Sequence, residues 1–197
     1  MSNNNVDQGR RRFLTATATV VGAAGAVFVA VPFVSSMMPS ERAKAAGAPV
    51  EADVSKLEEG QLMRVMWRGQ PVWLLRRSKE TLGFLDSMTK ILSDPNSDKS
   101  DQPAYAKNSG RSIKPELLVV VGICTHLGCS PTHRPDIGPA DLGENWKGGF
   151  FCPCHGSKFD LAGRVWAGVP APINLRVPPY MYLTDTQILI GEDKGAA

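Results

Sequence analysis

The sequence predicts a mainly β domain with one helix-and-loop insertion, preceded by a single membrane-spanning helix. Three observations support this fold class: an uncharged run at residues 13–40, several short apolar runs typical of strands, and a helical pattern confined to residues 78–92. A composition of 43% apolar and 21% charged residues is ordinary for a folded protein. The net charge of +3 comes mainly from Arg10–Arg12, and the nearly neutral remainder excludes a basic surface for nucleic acid.

The uncharged run at 13–40 is longer than the ~20 residues that a helix needs to cross a bilayer. Clustered arginines before a span favour keeping that end in the cytoplasm, which places the rest of the chain in the periplasm. Arg10 and Arg11, followed by Phe13 and Leu14, resemble a twin-arginine export signal. We therefore predict a cytoplasmic segment at 1–12 and a transmembrane anchor at 13–36, in a bacterial inner membrane.

A cleaved signal peptide is the alternative, because "AKA" at 43–45 resembles a cleavage site. Against it, the apolar run exceeds the ~7 to 15 residues of a signal peptide, and charged residues crowd the site. The sequence thus favours an uncleaved anchor. Residues 37–50 are rich in alanine and small or charged side chains, which predicts a flexible tether.

The β pattern begins at about Leu57. Residues 61–78 read as a hairpin with Gly69 in its turn, 116–123 as a buried strand, and 175–193 as two strands around a turn at 184–186.

The helix at 78–92 is predicted from the spacing of Leu82, Leu85, Met88 and Leu92, and a polar loop follows it. Together they form the insertion in the β domain.

All four cysteines and all three histidines lie in two segments, "GICTHLGCSPTH" at 122–133 and "FFCPCHGSKFD" at 150–160. Cys124 and His126 form C-x-H, and Cys152 and His155 form C-x-x-H. Zinc also accepts two cysteines and two histidines, but usually with like ligands grouped in one segment. A structural zinc site and a pair of disulfides are the alternatives to a redox cluster.

The hexapeptides "CTHLGC" at 124–129 and "CPCHGS" at 152–157 resemble the two cluster motifs of the Rieske iron-sulfur proteins, specifically the iron-sulfur subunits of the cytochrome bc1 complex. "GVPAP" at 168–172 resembles the proline loop of that family. The resemblance implies an antiparallel Rieske-type β-sandwich head at 51–197, with a small cluster-binding subdomain at about 122–172.

The resemblance further implies one [2Fe-2S] cluster, with Cys124 and Cys152 on one iron and His126 and His155 on the other. Two imidazoles in place of thiolates raise the potential from about −400 mV to roughly −150 to +300 mV. Ser157 would donate a hydrogen bond to a cluster sulfide. The disulfide that the resemblance implies joins Cys129 and Cys154.

In function, the resemblance implies a subunit of ubiquinol-cytochrome c reductase. His155 would be the catalytic residue, accepting a proton from ubiquinol as the cluster takes one electron for cytochrome c1. Cytochrome b would complete the quinol pocket, lipid would surround the anchor, and the complex would be a dimer. The tether would let the head domain move between the two redox partners.

Several residues carry their own expectations. Phe159 stands where the mitochondrial pattern has a tyrosine, which predicts a lower potential. His133 fits no cluster position and is expected to be a solvent-facing loop residue. Leu127 either packs locally or shields the cluster and contacts a partner. The tryptophans are expected to serve packing rather than electron transfer; they are Trp67, Trp73, Trp146 and Trp166.

Two other redox functions remain as alternatives. A soluble Rieske ferredoxin or oxygenase component typically lacks the extra cysteine pair and the anchor, so Cys129, Cys154 and residues 13–40 argue against it. The small Rieske subunit of a periplasmic oxidase such as arsenite oxidase would be favoured by cleavage after Ala45.

Overall fold

The computed structural model describes residues 7–194, which form two compact units divided after Ala45. The first unit consists mainly of helix α1, Gln8–Ser36, whose N-terminus is capped by the Asp7 carboxylate. Every side chain of α1 is exposed, and the helix is long and apolar enough to cross a membrane. A short second helix, α2, occupies Glu41–Ala46, inside the predicted tether.

The second unit is built from three antiparallel sheets of three strands each, which confirms the mainly β prediction. The first sheet has the order β1-β9-β8, with strands Val50–Asp53, Gln187–Ile190 and Tyr180–Tyr182. The second has the order β2-β3-β4, with strands Leu62–Trp67, Gln70–Arg76 and Leu117–Val121. The third has the order β5-β6-β7, with strands Thr132–Ile137, Lys147–Phe151 and Lys158–Phe159.

The predicted hairpin is confirmed as β2 and β3, which pair from Leu62↔Leu75 to Trp67↔Gln70. Its two-residue turn has positive φ at Arg68 (51°) and Gly69 (72°). Two consecutive residues with positive φ are typical of the turn whose twist matches that of the flanking strands. β4, which runs into the first cysteine segment, is buried along its whole length.

The insertion also follows the predicted pattern. Helix α3, Lys79–Ser87, begins at the Ser78 cap, whose hydroxyl accepts the Thr81 N–H. Its last turn tightens into a 3-10 helix at Met88–Ile91, and a second 3-10 turn covers Ala104–Ala106. Three of the four predicted apolar positions are buried and the fourth is partly buried; they are Leu85, Met88, Leu92 and Leu82.

The expectation for His133 was wrong. This residue lies half-buried in β5, directly opposite Phe150 of β6, with 5.6 Å between the ring centroids. Burial lowers the pKa of its imidazole below the ordinary value. The third sheet forms because Gly149 lets β7 approach β6: a Cβ at this position would collide with the Phe159 carbonyl oxygen.

A single hydrophobic core connects all three sheets and contains two of the four cysteines, Cys124 and Cys152. Trp67, Trp73 and Trp146 are almost completely buried, as expected for packing residues. Trp73 lies against Phe150, with 5.1 Å between ring centroids. Because the core extends to the cysteines, the segments that carry them rest on a rigid base.

Candidate metal centre

Two short loops, here called loop one (residues 124–129) and loop two (residues 152–157), carry the predicted ligands and share one backbone design. In each loop the first cysteine donates its N–H to the carbonyl of the sixth residue, and the glycine at the fifth position donates back to the carbonyl of that cysteine. The distances are Cys124–Cys129 2.7 Å, Gly128–Cys124 3.1 Å, Cys152–Ser157 2.8 Å and Gly156–Cys152 2.9 Å. Both glycines have positive φ, 84° and 77°, which glycine adopts without strain.

These loops follow β4 and β6, so two strands of different sheets bring the predicted ligand residues close together. Cys124 and Cys152 are each only 2% exposed. His126 is partly exposed and His155 is exposed, and their rings meet edge to face with 4.8 Å between centroids. The site therefore has two thiols on its buried side and two imidazoles toward the surface.

The other two cysteines, Cys129 and Cys154, form a disulfide that joins the loops, as the resemblance implied. The sulfur atoms of Cys129, Cys152 and Cys154 lie within 4.8 Å of one another. Since the disulfide uses one cysteine from each loop, it leaves exactly one thiol per loop, those of Cys124 and Cys152. This pairing excludes the alternative of two disulfides.

The Cys124 thiol is in an environment that disfavours a lone thiolate. Burial raises the pKa of Cys124; the backbone N–H of His126 acts to lower it, the neighbouring Cys152 thiol to raise it, and the Ser157 hydroxyl to lower it. Two adjacent buried thiolates are stable only beside positive charge, which a metal centre supplies. The set of two sulfurs and two imidazoles at one place fits an iron-sulfur cluster of the Rieske type.

A third segment packs on both loops. The Ala171 N–H donates to the Ser157 hydroxyl oxygen (3.1 Å), and the Thr125 hydroxyl donates to the Ile173 carbonyl (2.6 Å). Residues 168–173, which comprise "GVPAP" and Ile173, are thus held against loop one and loop two. Thr125 and Ile173 were missed from the sequence, since a threonine between two ligands and an isoleucine after a proline form no recognisable pattern.

Comparisons with known proteins agree with this geometry. Residues 48–179 match the family model "Rieske [2Fe-2S] domain". Residues 1–40 match the model "Ubiquitinol-cytochrome C reductase Fe-S subunit TAT signal", which fits an N-terminal anchor inserted through the twin-arginine pathway.

Among curated proteins, the chain is 63% identical to the ubiquinol-cytochrome c reductase iron-sulfur subunit of Allochromatium vinosum, covering 100% of this chain and 95% of that protein. It is 43% identical to the subunit of the same name from Blastochloris viridis, covering 96% and 97%. A solved chain from "Hyperthermophilic respiratory Complex III" is 27% identical, with a TM-score of 0.49, and the match covers 88% of this chain and 98% of that one. The chain therefore belongs to the Rieske [2Fe-2S] family and, within it, to the iron-sulfur subunits of ubiquinol-cytochrome c reductase.

Proposed function

We propose that Cys124 and Cys152 bind one iron of the [2Fe-2S] cluster and that His126 and His155 bind the other. The observation that carries this assignment is the pairing at the site: one thiol and one imidazole from each loop, with the spare cysteines joined to each other. When bound, such a cluster takes up and releases one electron at a potential raised by its imidazole ligands.

His155 is the residue that meets ubiquinol. It is the more exposed of the two ligand imidazoles, and an imidazole bound to metal through one nitrogen still has a second nitrogen for a hydrogen bond. With that nitrogen deprotonated, the ubiquinol hydroxyl would donate to it, and His155 would keep the proton as the quinol gives one electron to the cluster. His155 therefore couples proton release from the quinol to its oxidation.

The surface around His155 supports docking on other subunits. Leu127, in loop one, is apolar and 72% exposed, which suits a contact that excludes water when cytochrome b completes the quinol pocket. The electron then passes to cytochrome c1. Residues 37–50, with only the six-residue α2 as regular helix, let the head domain reach both partners within a dimeric complex.

The anchor supports the proposed location. α1 is uncharged from Phe13 to Ser36 and its side chains are exposed, so lipid rather than protein would surround it. With Arg10–Arg12 at its N-terminal end, the uncleaved helix crosses the inner membrane once and leaves the Rieske domain in the periplasm.

A redox titration of membranes by electron paramagnetic resonance, repeated at several pH values, tests the proposal. We expect a Rieske-type signal with a high potential that falls as pH rises, because reduction raises the proton affinity of the ligand imidazoles. His155→Ala should abolish this signal, and His133→Gln, a histidine outside both loops, should retain it. A low, pH-independent potential, or a signal only in the soluble periplasmic fraction, would overturn the proposal and favour a carrier or an oxidase subunit.

A further inference from the structure

The insertion forms hydrogen bonds with the segment that packs on loop one and loop two. We define the cover loop as residues 168–173. Just before it, the chain runs antiparallel to the residues that end the helical part of the insertion: the Ala167 N–H donates to the Ile91 carbonyl (2.8 Å), and the Ser93 N–H donates to the Val165 carbonyl (3.0 Å). The N-terminal side of the cover loop is therefore fixed by backbone hydrogen bonds to residues 91–93.

Asn174 fixes the other side. It is 0% exposed, and its side-chain oxygen accepts the Val165 N–H (2.8 Å). Its side-chain NH2 donates to the Asp94 carbonyl (3.0 Å) and the Ser97 hydroxyl (3.0 Å). Its backbone N–H donates to the Ser100 hydroxyl oxygen (3.1 Å). Asn174 therefore joins the two ends of the cover loop to each other and to the insertion.

The turn at 94–100 is itself rigid. The Asp94 carboxylate accepts the N–H groups of Asp98 (2.8 Å) and Lys99 (3.1 Å) and the Ser100 hydroxyl (2.6 Å). Burial acts to raise the pKa of Asp94, but these hydrogen bonds outweigh it and hold the pKa below the ordinary value. Ser97 is 1% exposed and has a positive φ of 57°, a strained backbone for serine that persists only where its surroundings hold it.

The cover loop, held by Asn174 and the 94–100 turn, contacts both loop one and loop two. The Ala171 N–H donates to the Ser157 hydroxyl of loop two, and the Ile173 carbonyl accepts the Thr125 hydroxyl of loop one. Pro170 and Pro172 lack N–H groups and have a fixed φ, so the cover loop shifts as a stiff unit when an end is released. A shift at Asn174 would therefore change both contacts together.

We propose that Asn174 is a positioning residue for the redox site, which transmits the rigidity of the 94–100 turn through the cover loop to Ser157 and Thr125. It touches neither quinol nor ligand. Its role is to hold the Ser157 hydroxyl in place beside Cys124 and to keep the cover loop against that side of the site. The insertion thereby becomes part of the redox machinery.

Amide hydrogen exchange of the cluster-loaded full chain in detergent gives the first test. In Asn174→Ala, the Ala171 amide should exchange at least tenfold faster, equivalent to about 1.4 kcal/mol of lost protection. Asn108→Ala is the control: Asn108 hydrogen-bonds Tyr105 and Ser112 inside the same insertion but makes no such bond to the cover loop. Equal protection of Ala171 in both variants would overturn the proposal. This measurement does not depend on the ligand assignment.

The reduction potential gives the second test, which does rest on the proposed ligands. Hydrogen bonds to cluster sulfurs raise the potential, so Asn174→Ala should lower it while Asn108→Ala leaves it unchanged. If Asn174→Ala fails to retain the cluster, Ser97→Gly replaces it as the test variant. Glycine suits the positive φ of this position and lacks the side chain whose hydroxyl Asn174 binds. An unchanged potential and unchanged Ala171 exchange in Ser97→Gly would refute the role of this network.

Discussion

Removal of the disulfide should destabilise the head domain by an amount that follows from its position in the chain. The Cys129–Cys154 bond spans a sequence separation of 25 residues. In the chain-entropy treatment, opening a loop of this length raises the conformational entropy of the unfolded chain, which lowers its free energy by about 3.5 kcal/mol. The double variant Cys129→Ser with Cys154→Ser should therefore be less stable by that amount. Both residues are changed together because a single change leaves a reactive thiol beside Cys152.

The expected change in melting temperature is large enough to measure. A unit of this size shifts by about 2 to 4 °C per kcal/mol, so the double variant should melt roughly 7 to 14 °C lower. The assay is scanning calorimetry of the cluster-loaded chain in detergent, at a fixed scan rate, with cluster bleaching followed in parallel. Wild-type protein treated with a thiol reductant serves as a comparison and should show a drop of the same size.

With the proposed ligands, the cluster would also link loop one and loop two, which provides a competing explanation. If the ligands alone held the loops, loss of the disulfide would leave the melting temperature within about 2 °C of wild type. That result would refute the entropic reasoning. A drop in the expected range, with bleaching at the same temperature as unfolding, would show that the disulfide stabilises the folded domain as a whole.

Three further outcomes are expected. Phe159→Tyr, at a fully buried site beside loop two, should raise the potential by about 20 to 65 mV through a new hydrogen bond to a ligand sulfur, whereas Phe84→Tyr on α3 should not; no rise in redox titration would contradict this. Burial lowers the pKa of His133 in the folded protein, so at acidic pH the unfolded chain binds more protons at this residue than the folded one. The contribution of neutral His133 to stability is complete above the pKa of the unfolded chain, about 6.5, and is lost as pH falls through the lower pKa of the folded protein. Calorimetry should show a steeper acid loss for wild type than for His133→Gln, and equal slopes would count against it. Consecutive prolines in "KAAGAP" at 44–49 should slow quinol turnover in membranes while the cluster signal stays intact, and unchanged turnover would disprove the tether role.

Elements with a strong local signal were predictable. The hairpin turn was predicted from Gly69 between two apolar runs, and β4 was predicted from its continuous run of apolar residues, all of which are buried. The insertion helix followed from the spacing of its leucines, because a period near 3.6 residues marks one buried face. In each case the sequence pattern that predicts the element lies within about fifteen consecutive residues.

Elements without such a signal were missed. β1 is four residues long and has one buried side chain, that of Ala52. β5 and β6 contain proline and two glycines and show no alternation, so only pairing with each other makes them strands. His133 was misread for the same reason: its partner, Phe150, is distant in sequence and is brought close by the third sheet.

The sequence alone predicted the anchor and the strands β2, β3, β4, β8 and β9, because charge and apolar periodicity are local properties of a chain. The cluster was implied by the resemblance of the two cysteine segments to the Rieske motifs, which are also local. Only the tertiary structure decided how Asn174 and the 94–100 turn hold the cover loop against Ser157 and Thr125. Those contacts join segments far apart in sequence through single hydrogen bonds, and a buried asparagine or serine has no periodicity to reveal its partner before the chain is folded.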